Sequence, residues 1–381
     1  MLTIRRRIVL AAAMALIAFL GPLSLTSQPF IVPEPLPDQL SDEAFWKMVT
    51  EFSEAGGYFR SDNFVSNETA FQYLLNRLKK TRPGGVYLGV GPDQNFTYIV
   101  AMRPKLAVIF DIRRQNVMQH LMYKALIEMS ADRADFLSKL FSRKRPDKLG
   151  AQSTAEELFA AFEAVEPDRQ VYFANLQAIK KQLAEHHGFN LSYDDETSIQ
   201  YIYGSFYSGG PDLNYNGVGG SFGGSQMPSY SELMQVTDEE GVNRSYMGTE
   251  ENFAILRQFE LKNLIVPVVG DFAGAKAIRA VGSYLKQHDT FVSAFYLSNV
   301  EQYLFRQSDD WSRFYRNVET LPIDPTSTFI RSVFNGQGVT FPPNPGYGLR
   351  SASLLSPIAE HLKAFTAGEV RTYNDVIEMS K

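Results

Sequence analysis

The run Val86-Tyr87-Leu88-Gly89-Val90-Gly91 constrains the fold of this chain more than any other segment. A short apolar stretch that breaks directly into glycines reads as a buried strand delivering its backbone into a tight turn. Residues Asn95 to Met102 follow with helical spacing, and Leu106 to Phe110 is a second apolar run, ending in Asp111. Strand, glycine turn, helix and strand make a β-α-β unit, in which the helical crossover leaves the two strands parallel. Much later, Asn263 to Val269 is an apolar strand ending in Gly270-Asp271-Phe272. A helix from about Ala273 to Leu285 then leads to a fourth strand, Thr290 to Leu297, ending in Ser298-Asn299. This alternation predicts an α/β domain with a mostly parallel sheet covered by helices on both faces.

The domain spans 41–381, with amino-terminal helices over 41–83 and a large insertion over 132–260. Ser41 reads as the cap of a first helix, with Asp42 and Glu43 in its first turn and Phe45, Met48, Val49 and Phe52 on one face. Ser66 reads as the cap of a second, with Phe71, Leu74, Leu75 and Leu78 as its stripe and Pro83-Gly84-Gly85 as its stop. The insertion opens as helices, with a capping box at Ser153 and Glu156 and a stripe of Leu158, Phe159, Phe162 and Val165. Its later part, Tyr201 to Gly224, is rich in Gly, Ser and Tyr. The glycines at 217, 219, 220, 223 and 224, interleaved with Tyr203, Phe206, Tyr207, Tyr215 and Phe222, suggest a mobile lid or substrate loop rather than a plain linker.

Residues 1–27 read as a signal peptide or a retained membrane anchor. Arg5-Arg6-Arg7 precedes an apolar run from Ile8 to Leu20, and the apolar character extends to Leu25, just long enough to span a bilayer. The arginines place that end in the cytoplasm and the domain outside, exported or tethered at the cell envelope. Residues 28–40 carry Pro29, Pro33, Pro35 and Pro37 and read as a stiff spacer.

Composition narrows the chemistry. A net charge of −5 offers no general attraction to phosphate, which argues against a nucleic-acid partner. With no Cys and five His in 381 residues, thiolate chemistry is excluded and a metal centre is not expected. His186 and His187, just before Gly188, read as the basic last turn of a helix.

Gly89-Val90-Gly91, Asp111, Gly270-Asp271-Phe272 and Ser298-Asn299, each ending a strand and in this order, resemble the class I S-adenosylmethionine-dependent methyltransferases. The resemblance covers about Gly84 to Arg114 and Asn263 to Leu304, and implies a Rossmann-like sheet of the class I methyltransferase type, interrupted by the helical and Gly/Tyr-rich insertion. It implies S-adenosylmethionine as cofactor, with Gly89 and Gly91 at the turn that approaches it and Asp111 accepting its ribose hydroxyls. Asp271 and Phe272 would contact the adenine, and Ser298 and Asn299 would border the reactive centre. Where that family commonly carries an acidic residue and a third glycine, this chain has Tyr87 and Asp93. No catalytic residue is assigned, although Glu301 and Tyr303 are candidates for a base or an acceptor-orienting group. Two functions follow as expectations: a transferase acting on an unknown acceptor, or a non-catalytic exported protein that reuses the fold to bind a small ligand or partner.

Overall fold

Ser41 caps the first helix, α1 (Asp42–Glu51): its hydroxyl accepts the Ala44 N–H at 3.1 Å, and Phe45, Met48 and Val49 are buried. The computed structural model to which this helix belongs describes residues 34–217, 221–222, 225–334 and 351–380. The signal or anchor segment, 1–27, and the spacer up to residue 33 lie outside the described residues. The end of the spacer is docked rather than free, because the Leu40 N–H donates to the Lys262 carbonyl at 3.0 Å and Leu36 and Leu40 pack on the core. Among the described residues, no helix is long and apolar enough to cross a membrane.

The second helix expected from Ser66 is much shorter. The backbone turns helical only at a 3-10 turn, Phe71–Leu74, followed by α2 (Leu75–Leu78). Ser66 is engaged elsewhere: its hydroxyl donates to Gln94 and accepts the Glu68 N–H. A serine ahead of a helical stripe signals a cap only while no tertiary partner competes for its hydroxyl.

The β-α-β unit forms as expected, as β1 (Val86–Val90), α3 (Gln94–Met102) and β2 (Leu106–Asp111), and α4 (Arg114–Glu128) follows. The insertion contributes α5 (Arg133–Phe141), α6 (Ala155–Glu163), α7 (Arg169–Lys181), α8 (Tyr193–Gly209), a short hairpin of β3 (Ser221–Phe222) and β4 (Ser225–Gln226), and α9 (Tyr230–Gln235). The sheet then resumes with α10 (Glu250–Leu261), β5 (Ile265–Val269), α11 (Ala277–Gln287) and β6 (Val292–Ser298). The chain closes with α12 (Val300–Leu304), α13 (Asp310–Val318), β7 (Ile323–Phe334), β8 (Ser351–Pro357), α14 (Ile358–Thr366) and α15 (Tyr373–Glu378).

Six strands form one sheet in the order β5-β2-β1-β6-β7-β8, all parallel except β8, which runs antiparallel to β7. From β1 the chain steps outward through β2 to β5, then returns to build β6, β7 and β8 on the other side. A topological switch therefore lies between β1 and β6, where open α/β sheets leave a crevice at the carboxyl ends of their strands. The architecture is α/β and compatible with a Rossmann-like fold. Helix α10 packs on α3 and α4, and α11 packs on α13, the two groups that right-handed crossovers place on opposite faces of such a sheet.

Two features of the insertion differ from the sequence reading. The capping box sits one residue later, at Thr154 and Glu157, while Leu158, Phe159 and Phe162 are buried as the stripe required. The segment read as a lid is helical as far as Gly209, so Tyr203 and Phe206 belong to the core of α8: Tyr203 stacks on Tyr172 at 5.2 Å and Phe206 meets Tyr123 at 5.7 Å. Burial of Ile199, Ile202, Tyr203 and Phe206 outweighs the helix-weakening effect of Gly204, worth about 1 kcal/mol. Of the expected lid glycines, those at 219, 220, 223 and 224 lie outside the described residues.

His186 and His187 close a helix as expected: the helical turn Gln182–His186 continues α7, His187 is its C-cap, Gly188 follows at φ +68°, and His187 also makes tertiary bonds. Its Nδ1 faces Asp42 Oδ1 at 2.7 Å and its Nε2 faces Glu128 Oε2 at 2.7 Å, tying α1 to α4. Lys124 completes the cluster, donating to Glu128 at 2.6 Å and to the Glu260 carbonyl at 2.5 Å.

Candidate functional site

Strand register brings the motif ends together. Val90 pairs with Phe110 and Asp111 with Val269, and the Gly91 and Gly270 N–H groups donate to the Phe110 and Asp111 carbonyls. On the other side of the switch, Leu88 pairs with Phe295, which sets Ser298 at the same sheet edge. A cavity of about 470 Å³ opens at this edge, and Gly91, Asp111, Asp271, Phe272, Ser298 and Asn299 all line it. Of the seven residues singled out in the sequence, Gly89 alone is absent from the wall.

Gly89 answers to packing. A Cβ there would meet Asn95 Oδ1 at 1.9 Å, because the Asn95 side chain folds back over the turn. Its Nδ2 donates to the Val90 and Pro92 carbonyls at 2.9 and 2.7 Å, and its Oδ1 accepts the Tyr87 hydroxyl at 2.8 Å. Tyr87, standing where an acidic residue was expected, thus buttresses the turn. Gly91 is needed for conformation, with φ at +77°, since a Cβ there would make only ordinary van der Waals contact with Asn63 Nδ2 at 3.5 Å. Its carbonyl accepts from His120 Nε2 at 2.9 Å, which makes His120 the Nε2–H tautomer, and burial pushes the His120 pKa down to about 4.

Asp111 is not an open carboxylate. The Arg113 fork and backbone N–H engage three of its four lone-pair positions, and the guanidinium also donates to the Ser61 and Asp62 carbonyls. Burial works against the Arg113 charge, yet Asp111 holds its pKa above the usual arginine value. The pair pins a strap, residues 53–67, across the carboxyl edge. Along this strap the Glu54 and Gly57 N–H groups donate to the Val269 and Ile112 carbonyls at 3.1 and 2.7 Å.

Asp271 accepts the Ala273 N–H at 2.9 Å through Oδ1, a turn-forming bond that leaves Oδ2 for a ligand donor. Phe272 lines the cavity while packed among Phe110, Phe295 and Phe314, 5.6–6.2 Å away, so its ring belongs largely to the core. Ser298 occupies left-handed backbone at φ +49°, uncommon for a side-chain-bearing residue, and Asn299 bonds Gln302 at 3.2 Å. Glu301 is removed as a base candidate: it is 2% exposed and clamped by the buried Arg331 and by the Tyr315 hydroxyl at 2.6 Å. Tyr303 does line the cavity. A smaller cavity of about 190 Å³ continues past Tyr215, Asn299 and Tyr303 toward Met227.

Sequence reasoning missed the strap and the buried Glu68 that directly follows it. Tyr58, Phe59, Arg60, Asn63 and Glu68 all line the cavity, yet no apolar period or motif marks them. The one available signal was an acidic residue in a stretch followed closely by large apolar residues. Asp93, read only as a missing glycine, is also buried; it accepts the Tyr246 hydroxyl at 2.9 Å, and burial pushes its pKa up to about 7.

Compared with known proteins, the chain matches the model of one domain family, described as a domain of unknown function, over residues 63–363. No curated protein matches it.

Proposed function

The chain belongs to the DUF7790 family, a domain of unknown function, and we propose that its carboxyl-edge cleft binds S-adenosylmethionine, or a close adenosyl relative, in the manner of class I methyltransferases. The observation that carries this reading is the meeting of Gly91, Asp111, Asp271, Phe272, Ser298 and Asn299 on one cavity at the β1/β6 switch. Its volume of about 470 Å³ suits a small organic molecule. Gly91 lets the backbone approach the ligand, Asp271 Oδ2 accepts from an adenine amino group, and the smaller cavity beyond Asn299 and Tyr303 admits an acceptor. Transfer then rests on placing the acceptor in line with the electrophilic carbon, which needs no dedicated triad. The amino-terminal arginine and apolar pattern supports an exported or membrane-tethered domain, testable with a periplasm-active reporter fused to the carboxyl terminus.

A second reading, non-catalytic binding of another small ligand or partner, is favoured by one observation. Arg113 already fills most of the Asp111 carboxylate that would receive the ribose hydroxyls. Thermal denaturation of the full-length protein with millimolar S-adenosylmethionine or S-adenosylhomocysteine separates the two. The transferase reading expects both to raise Tm, and Asp271→Asn to reduce the shift. No shift with either moves the conclusion to the second reading.

A further inference from the structure

Glu68 lies on the cavity wall, is 1% exposed, and has all four lone-pair positions occupied. Oε1 accepts the Tyr296 hydroxyl at 2.8 Å and the Ser298 hydroxyl at 2.5 Å; Oε2 accepts the Gln94 amide at 2.7 Å and the Ser332 hydroxyl. Every one of these donors is neutral. Other buried acids follow the usual rule that a buried charge is matched by a cation: Asp111 has Arg113, Glu128 has Lys124, Asp195 has Arg114 and Glu301 has Arg331. The carboxylates of Asp93 and Glu260 are likewise bonded to no cation among the described residues, but neither lines this cavity, and burial pushes their pKa values up to about 7 and about 8. Glu68 differs in receiving four neutral donors and in lying on the cavity wall.

The consequence falls on two hydroxyls that also line the cavity. Tyr296 and Ser298 spend their hydrogens on Glu68, so they present oxygen lone pairs to a ligand. Ser298 does so from strained left-handed backbone, the kind of outlier that collects at functional sites. We infer that Glu68, acting through the Tyr296 and Ser298 hydroxyls, makes this part of the cavity a subsite for the cationic group of the ligand, an ammonium or a sulfonium. The inference rests on the cleft being the ligand site, but not on the ligand containing adenosine.

Calorimetry on the full-length protein tests it with two sets of probes. S-adenosylmethionine carries a sulfonium and an ammonium, S-adenosylhomocysteine only the ammonium, and 5′-methylthioadenosine neither; putrescine and butane-1,4-diol form a cationic and neutral pair without adenosine. The wild type should favour the cationic probes over their neutral counterparts by about tenfold or more, as a hydrogen bond to a charged group provides. Glu68→Gln should abolish that preference while leaving the neutral probes within about twofold. Ser298→Gly removes one relaying hydroxyl, suits the positive φ, and so reports even where Glu68→Gln folds poorly. The step between the first two adenosyl probes identifies the sulfonium as the cation read; a step between the second and third that is lost in Glu68→Gln identifies the ammonium. Should only putrescine bind, with its preference lost in both variants, the cationic subsite stands and the adenosyl reading falls. Adenosyl binding with no cationic preference, or with a preference that survives both variants, overturns the inference and leaves the adenosyl reading intact. Binding of no probe overturns both.

Discussion

Arg113 encloses the carboxylate of Asp111 with both its backbone and its side chain: its N–H and Nε donate to Oδ1 at 2.9 and 3.0 Å, and Nη2 donates to Oδ2 at 2.8 Å. Both side chains are about 7% exposed, so the pair supports the fold as well as the cleft.

Asp111→Ala therefore should do more than alter ligand binding. It leaves the Arg113 guanidinium buried without its counter-charge, and removing one partner of a buried pair costs about 3–5 kcal/mol. Urea denaturation should show that loss, with part of it recovered in the double variant Asp111→Ala/Arg113→Met. A single variant within about 0.5 kcal/mol of wild type would show that the pair is not structural.

The two turn glycines should respond differently to alanine. Gly89→Ala must push Asn95 off three carbonyls and is expected to cost about 1–3 kcal/mol from overpacking, plus the bonds lost. Gly91→Ala meets only an ordinary contact, Asn63 Nδ2 at 3.5 Å, and should cost only the left-handed backbone penalty, about 1–2 kcal/mol. Thermal melts that reverse this order would contradict the packing assigned to Gly89.

His187 should make stability fall in alkaline solution. Burial opposes its charge, but hydrogen bonds to Glu128 and Asp42 hold its pKa above the ordinary histidine value. A raised folded pKa means the stabilisation is complete below the unfolded value of about 6.5 and is lost as pH rises through the folded value. His187→Gln should flatten stability measured from pH 6 to 9; an unchanged slope would remove His187 as its source.

Asp93 acts in a lower window. With a folded pKa of about 7 against an ordinary value near 3.8, it penalises folding increasingly as pH rises between those values, and by a constant amount above. Asp93→Asn keeps an acceptor for the Tyr246 hydroxyl and should raise stability at pH 8 by a few kcal/mol, with the gain vanishing near pH 3. Equal melting of variant and wild type at pH 8 would show that Asp93 is charged without penalty.

Local pattern was enough to locate the four strands that build the switch, because each is a continuous apolar run buried on both faces and ended by glycine or a polar residue. From those runs alone followed the parallel sheet and the collection of Gly91, Asp111, Asp271 and Ser298 at one edge. β7 and β8 escaped notice because Thr328, Arg331, Ser332 and Ser351 are buried polar residues that interrupt any apolar period; their partners, such as Glu301 for Arg331 and Glu68 for Ser332, lie far away in sequence. The same holds for the site's electrostatics. A sequence places an acid at a strand end, but whether that acid keeps an oxygen open at the cavity, as Asp271 does, or is filled by an arginine, as Asp111 is, depends on side-chain packing. Glu68 reaches the cleft only because the strap crosses the sheet edge, held by bonds between residues some 50 to 220 positions apart. Such contacts depend on distance in space, which periodicity along the chain does not encode.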